Sequence, residues 1–120
     1  MVSEISPLHD KYINLEYLKL MCEGDADMER VILDLVIDEI PAELSKMTDA
    51  LAGKDWHGLF EIAHKFKTTL SYVGNAEMTN ITKTLEFCAR GQTSLEEIPG
   101  LIASLEQISK EVLPELKMKV

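Results

Sequence analysis

Residues 56–74, WHGLFEIAHKFKTTLSYVG, decide how the rest of the chain is read. Asp55 ahead of the stretch is a good helix N-cap and Gly74 behind it a good stop, so a helix is predicted from Trp56 to about Val73. With His64 at zero on a wheel of about 100° per residue, Leu59, Ile62, Phe66, Leu70 and Val73 fall between roughly 160° and 240°. Trp56 and Ala63 flank that arc. One stripe therefore faces a core, and His64 stands opposite it, toward solvent or an outer groove. Phe60 and Lys67 lie one turn to either side of His64, with Thr68 beside Lys67. His57 and Ser71 lie two turns away in opposite directions.

Working outward, the flanking segments also read as helices. Residues 1–12 form a loose or partly docked lead-in that contains His9. Asn14 can cap a short helix that ends near Gly24. Asp25 or Asp27 opens a long helical stretch that ends at Gly53. Its apolar positions Met28, Val31, Ile32, Leu35, Ile40, Leu44, Met47 and Leu51 recur at threes and fours, with a one-residue slip between Leu35 and Ile40. Pro41 inside it is expected to bend the helix. Asn75 or Glu77 opens a fourth helix through about Arg90. The last helix starts either at Ser94, in a capping box with Glu97, or at Pro99 in a first turn. Leu101, Ile102, Leu105, Ile108, Val112 and Leu116 give it an apolar face, and Pro114 is expected to kink or fray its end. No segment alternates with period two. The predicted fold is all-α: one domain over residues 1–120, an antiparallel up-and-down four-helix bundle with an additional short N-terminal helix.

Composition narrows the classes of function. A chain of 120 residues holds one helical core but no nucleotide-binding domain besides. The formal net charge of −9 repels phosphate backbones and anionic lipid heads, which argues against nucleic-acid and membrane-surface partners. Cys22 and Cys88 have no ligand spacing for zinc and read as buried thiols. His57 and His64, seven residues apart, are too far from each other to share a metal ion. No apolar run approaches a membrane span and residues 1–12 lack the pattern of a signal peptide, so a cytoplasmic location is expected. Met1 and the lead-in are read as the start of a freestanding protein.

The His64 face carries the chemistry. A neutral imidazole is a good nitrogen nucleophile near pH 7, because its unperturbed pKa is about 6.5. Lys67 can pair with the anionic oxygens of a phosphoryl group on that nitrogen. Phe60 can seat a partner and exclude water. By itself the pattern also fits an ordinary solvated helix face.

The run Ala63-His64-Lys65-Phe66-Lys67-Thr68, with Gly74 following, resembles the signature of histidine-containing phosphotransfer (HPt) domains. Leu85-Glu86 in the next helix, and a long proline-containing helix ending in ALAGKDW before the histidine helix, are similar to that family as well. The likeness covers about residues 14–116. It implies that His64 is the phosphoacceptor and that Lys67 stabilises the phosphoryl group. The domain would act as a phosphocarrier rather than an enzyme, taking phosphate from an aspartate of one receiver domain and passing it to another. Implied partners are response-regulator receiver domains and a hybrid histidine kinase. No cofactor or metal of its own is implied, since the receiver brings the Mg²⁺ and the catalytic groups. Thr68 stands where many members have glycine. Its hydroxyl is expected to bond back to the His64 carbonyl, leaving room for a docked receiver.

The remaining assignments on this face concern docking. Phe60, Lys65, Thr68 and Ser71 are candidates for partner contact. Glu86 either orients the imidazole from the neighbouring helix or is simply solvated. Two other readings compete with a phosphorelay intermediate. HKFKTTL also resembles the phosphoacceptor helix of a histidine-kinase dimerisation domain, which would make the protein a tight dimer; a phosphorelay carrier is expected to be a monomer. A receiver-binding module that transfers nothing is the third.

Overall fold

The computed structural model describes residues 11–120. Five α-helices follow one another: α1 (Glu16–Cys22), α2 (Ala26–Ala52), α3 (Trp56–Ser71), α4 (Ala76–Gly91) and α5 (Ile98–Lys117), with a 3-10 turn at Leu95–Glu97. Helices α2 to α5 form a closed ring, in which α2 packs on α3 and α5, α4 packs on α3 and α5, and α1 packs on α2. This is the expected antiparallel four-helix bundle with a short extra helix in front. Among the described residues there is no strand, and no helix is long and apolar enough to cross a membrane.

The boundaries follow from local chemistry. Asp25, Asp55 and Asn75 each accept a hydrogen bond from the backbone N–H three residues on, at Met28, Gly58 and Met78. These are side-chain caps that satisfy helix donors left without an intrahelical partner. Asn14 accepts similarly from the N–H of Glu16. The third helix stops at Ser71 rather than Val73, because the chain must turn into Gly74 at φ +74. A Cβ at Gly74 would overlap the Asn14 carbonyl oxygen. The Ser94–Glu97 capping box does not form. Ser94 has φ 50, and an N-cap needs extended backbone, so the 3-10 turn intervenes and α5 begins at Ile98 with Pro99 in its first turn. Helix α2 runs unbroken through exposed Pro41, and α5 continues through Pro114 to Lys117.

The core is built from one stripe of each helix. In α3 it is Leu59, Ala63, Phe66 and Leu70, followed by Val73, all buried, while Trp56 and Ile62 pack half-buried against it. The α2 stripe corrects the sequence reading. Glu29, Leu33, Val36, Ile40, Leu44 and Met47 are buried in one continuous register without a slip, whereas Met28, Val31 and Leu35 are exposed. Residues 31–37 of α2, VILDLVI, are apolar except for Asp34, so periodicity within that stretch selects no face. Register with Ile40 and Leu44, together with a 2.7 Å ion pair from Lys19 of α1 to Glu29, makes the choice.

The lead-in is docked at its end. The Tyr12 backbone N–H donates to the Glu115 carboxylate at 2.8 Å, and its carbonyl accepts from the Asn75 side-chain amide at 2.8 Å. The Asn14 N–H donates to the Val73 carbonyl. Residues 12–14 are thus strapped across the α3–α4 turn and α5. Residues 1–10 of the lead-in, His9 included, lie outside the described residues.

Candidate functional site

His64 sits at mid-length on α3 with its side chain 62 % exposed. It lies opposite the Phe66 stripe, as the wheel requires. Its Nδ1 is 2.6 Å from Oε2 of Glu86, which reaches across from α4. The other oxygen of the same carboxylate, Oε1, is 2.7 Å from Nζ of Lys67. One carboxylate therefore holds the imidazole and the ammonium together. Lys67 is 32 % exposed and Glu86 only 13 %, because the carboxyl is tucked between α3 and α4.

The charge on Glu86 selects the tautomer of the neutral histidine. Burial on its own pushes the carboxyl pKa up. Hydrogen bonds from Lys67 and His64, and the charges behind them, outweigh burial and hold it below its ordinary value. Glu86 is therefore ionised at neutral pH and can only accept. Nδ1 of His64 must then carry a proton, so in the neutral imidazole the lone pair lies on Nε2. The site thus offers a nitrogen nucleophile from a rigid helix, with a fixed tautomer and a cation within one turn.

The other candidates fall at varied distances from this centre. Phe60 is half-buried, and its ring lies 5.9 Å from the His64 ring, centroid to centroid. His57 continues the row at 6.3 Å from Phe60 and pairs with Glu61 at 3.5 Å. Lys65 is exposed on the other flank, where it lines a cleft of about 330 Å³ between α2 and α3 with Glu39, Glu43 and Thr68. Ser71 donates to the Thr68 carbonyl instead of facing His64. The Thr68 hydroxyl does not bond to the His64 carbonyl, and no partner for it occurs among the described residues. The side chain is exposed and water can satisfy it.

Sequence reasoning left the Glu86 role even between orienting group and solvated charge, and the geometry places it in contact with both His64 and Lys67. It missed the link from Thr69 to Glu39, a 2.9 Å hydrogen bond that ties α3 to α2 beside the site. No spacing within either helix announces that pair.

Comparison with known proteins bears on the fold and the family. The Hpt domain family model matches residues 31–114. The fold is similar to the crystal structure of histidine-containing phosphotransfer protein B (HptB) from Pseudomonas aeruginosa PAO1. The TM-score is 0.81 at 27 % identity, covering 91 % of this chain and 94 % of that one. The signal transduction histidine-protein kinase BarA of Shigella flexneri is 29 % identical over 86 residues, and BarA of Escherichia coli K12 is 28 % identical over the same length. The match covers 71 % of this chain but 9 % of either kinase, so the chain spans a small part of those relatives. On the family match and the shared bundle, the chain belongs to the Hpt domain family, phosphocarrier modules with a phosphotransfer role in two-component signalling.

Proposed function

We propose that this chain is a phosphorelay intermediate that accepts a phosphoryl group on His64 from a receiver-domain aspartate and passes it to the aspartate of another receiver. The observation that carries the reading is the Glu86 carboxylate bridging Nδ1 of an exposed His64 and Nζ of Lys67. In the forward step the Nε2 lone pair attacks the phosphorus of an aspartyl phosphate. The N–P bond forms as the P–O bond to the aspartate breaks, and the aspartate leaves as a carboxylate with the electron pair of that bond. His64 becomes an N-phosphorylated imidazolium, whose Nδ1 proton stays on the hydrogen bond to Glu86. Lys67 can turn from Glu86 to the phosphoryl oxygens, where it offsets their charge. Passing the group on reverses each of these changes.

The donor would be the receiver of a hybrid histidine kinase and the acceptor a response regulator, each bringing its own Mg²⁺ and acidic pocket. Phe60 beside the ring would shield the N–P bond from water, and Lys65 and Thr68 would border the docked partner. The test is incubation with a phosphorylated receiver and Mg²⁺. Wild type should gain acid-labile, base-stable label, and His64→Gln should gain none while keeping its melting temperature. Absence of label on wild type from every receiver of the source organism would end this reading. Light scattering should show a monomer, as expected of a carrier rather than a kinase dimerisation domain.

A further inference from the structure

The charge of this molecule is unevenly placed. Residues 56–91, which make up α3 and α4, carry four lysines and arginines against three acidic residues, a balance of +1, so the remaining residues carry −10 of the total −9. Helix α2 alone bears seven acidic residues against two basic ones. The two basic groups of α4 share one side. Lys83 and Arg90 lie three residues before and four after Glu86, so both share its helix face, one turn to either side. Each is exposed, and neither has a carboxylate partner among the described residues, in contrast to Lys19, Lys46 and Lys67. Between them stands Phe87, at 71 % exposure one of the most open large apolar side chains of the described chain.

We infer that Lys83, Phe87 and Arg90 form a docking rim on α4 for a partner whose own site is acidic, and that this rim selects and steers receivers onto His64. The inference rests on the phosphorelay reading and extends it to a surface outside the histidine helix. A receiver that carries an aspartyl phosphate presents negative charge to a protein of net charge −9. Long-range repulsion would slow their encounter unless a local positive pole faces the approach. The α4 rim supplies that pole beside the nucleophile, since Glu86 on the same face already touches His64 and Lys67. Phe87 adds an apolar anchor flanked by charge, the composition that favours a contact residue. Lys67 is engaged by Glu86 and Lys65 stands on the opposite flank beside Glu39 and Glu43, so on the α4 side Lys83 and Arg90 are the cations free to meet a partner.

The experiment compares wild type with Lys83→Glu/Arg90→Glu and with Phe87→Ala, using a receiver of the source organism. In the His64→Gln background, affinity for the receiver activated with beryllofluoride and Mg²⁺ is measured from about 20 to 300 mM salt. The charge reversal should weaken binding at least roughly tenfold at low salt and flatten the salt dependence. Phe87→Ala should weaken binding at all salt concentrations. With His64 present, labelling by phosphoramidate, a small donor that needs no docking, should proceed equally in all variants. Binding by the charge-reversed protein with the affinity and salt slope of wild type would overturn the rim. Loss of phosphoramidate labelling on wild type would instead sink the His64 chemistry, so the two failures are told apart.

Discussion

Replacing Glu86 with glutamine tests the site with the least change of shape. The carboxylate accepts from Nδ1 of His64 at 2.6 Å and from Lys67 at 2.7 Å. Hydrogen bonds to a charged group contribute about 1.5–3 kcal/mol and neutral ones about 1 kcal/mol. Because the imidazole is 62 % exposed and water competes, the lower end applies, and the amide should lose about 1 kcal/mol on the histidine side. Charge on the imidazole grows as the N–P bond forms, so that loss falls mainly on the transition state and the phosphorylated product. Phosphotransfer from a receiver should then slow about fivefold, and the phosphorylated fraction at equilibrium should drop by a similar factor. An amide can also donate, so the Nδ1–H tautomer should lose its dominance. Rapid-quench transfer gives the rate, and ¹⁵N-resolved NMR of the ring gives the tautomer. Wild-type transfer together with an unchanged tautomer ratio would refute the assignment of Glu86 as the group that sets the imidazole. Lys67→Ala in both backgrounds would separate the lysine's share by a double-mutant cycle.

Three further outcomes are expected. Phe66→Ala should cost about 3–5 kcal/mol in urea unfolding, since the ring is fully buried at the centre of the α3 stripe; a loss under about 1 kcal/mol would mean that the core does not close around it. Gly74→Ala should destabilise by about 1–2 kcal/mol or more through its left-handed backbone, and should release the strap, read out as faster amide exchange at Asn14. Acid should erode the Glu86 contribution: its folded pKa lies below its ordinary value, so the stabilisation is complete above the unfolded value of about 4.3 and fades as pH falls through the folded one. The stability gap between wild type and Glu86→Gln should accordingly be steady near neutral pH and shrink below about pH 4.

Most of the bundle was legible because several helices carry a single apolar stripe. In α3 and α5 the polar and apolar faces are distinct, and the expected stripes face the core, although Ile62, Leu101 and Ile108 are only half-buried and Thr69, Ile98 and Ser109 are buried beside them. The start of α2 was not legible, for Val31, Ile32, Leu33, Leu35, Val36 and Ile37 offer two competing stripes. Only contact with α1 and the register of the second half decide between them. At the site, the outward aim of His64 follows from the position of Phe66. The Glu86 bridge does not, since the axial register of α4 against α3 is a property of packing rather than of either helix. The failure of the Ser94 cap has a similar root: the residue type was right, but its backbone is left-handed.

The strap has a mechanical consequence. Tyr12 is pinned to Glu115, and the C-terminal Lys119 and Val120 lie beside Ala26, Glu29 and Leu33, so both ends of the described chain leave at the pole where α2 begins. Ser71, the last residue of α3 at that pole, is seven residues along the helix from His64, roughly 10.5 Å. A tether at either end would pull on that pole alone, and the domain could swivel about it with its histidine flank unobstructed, whether it travels alone or hangs from a larger polypeptide.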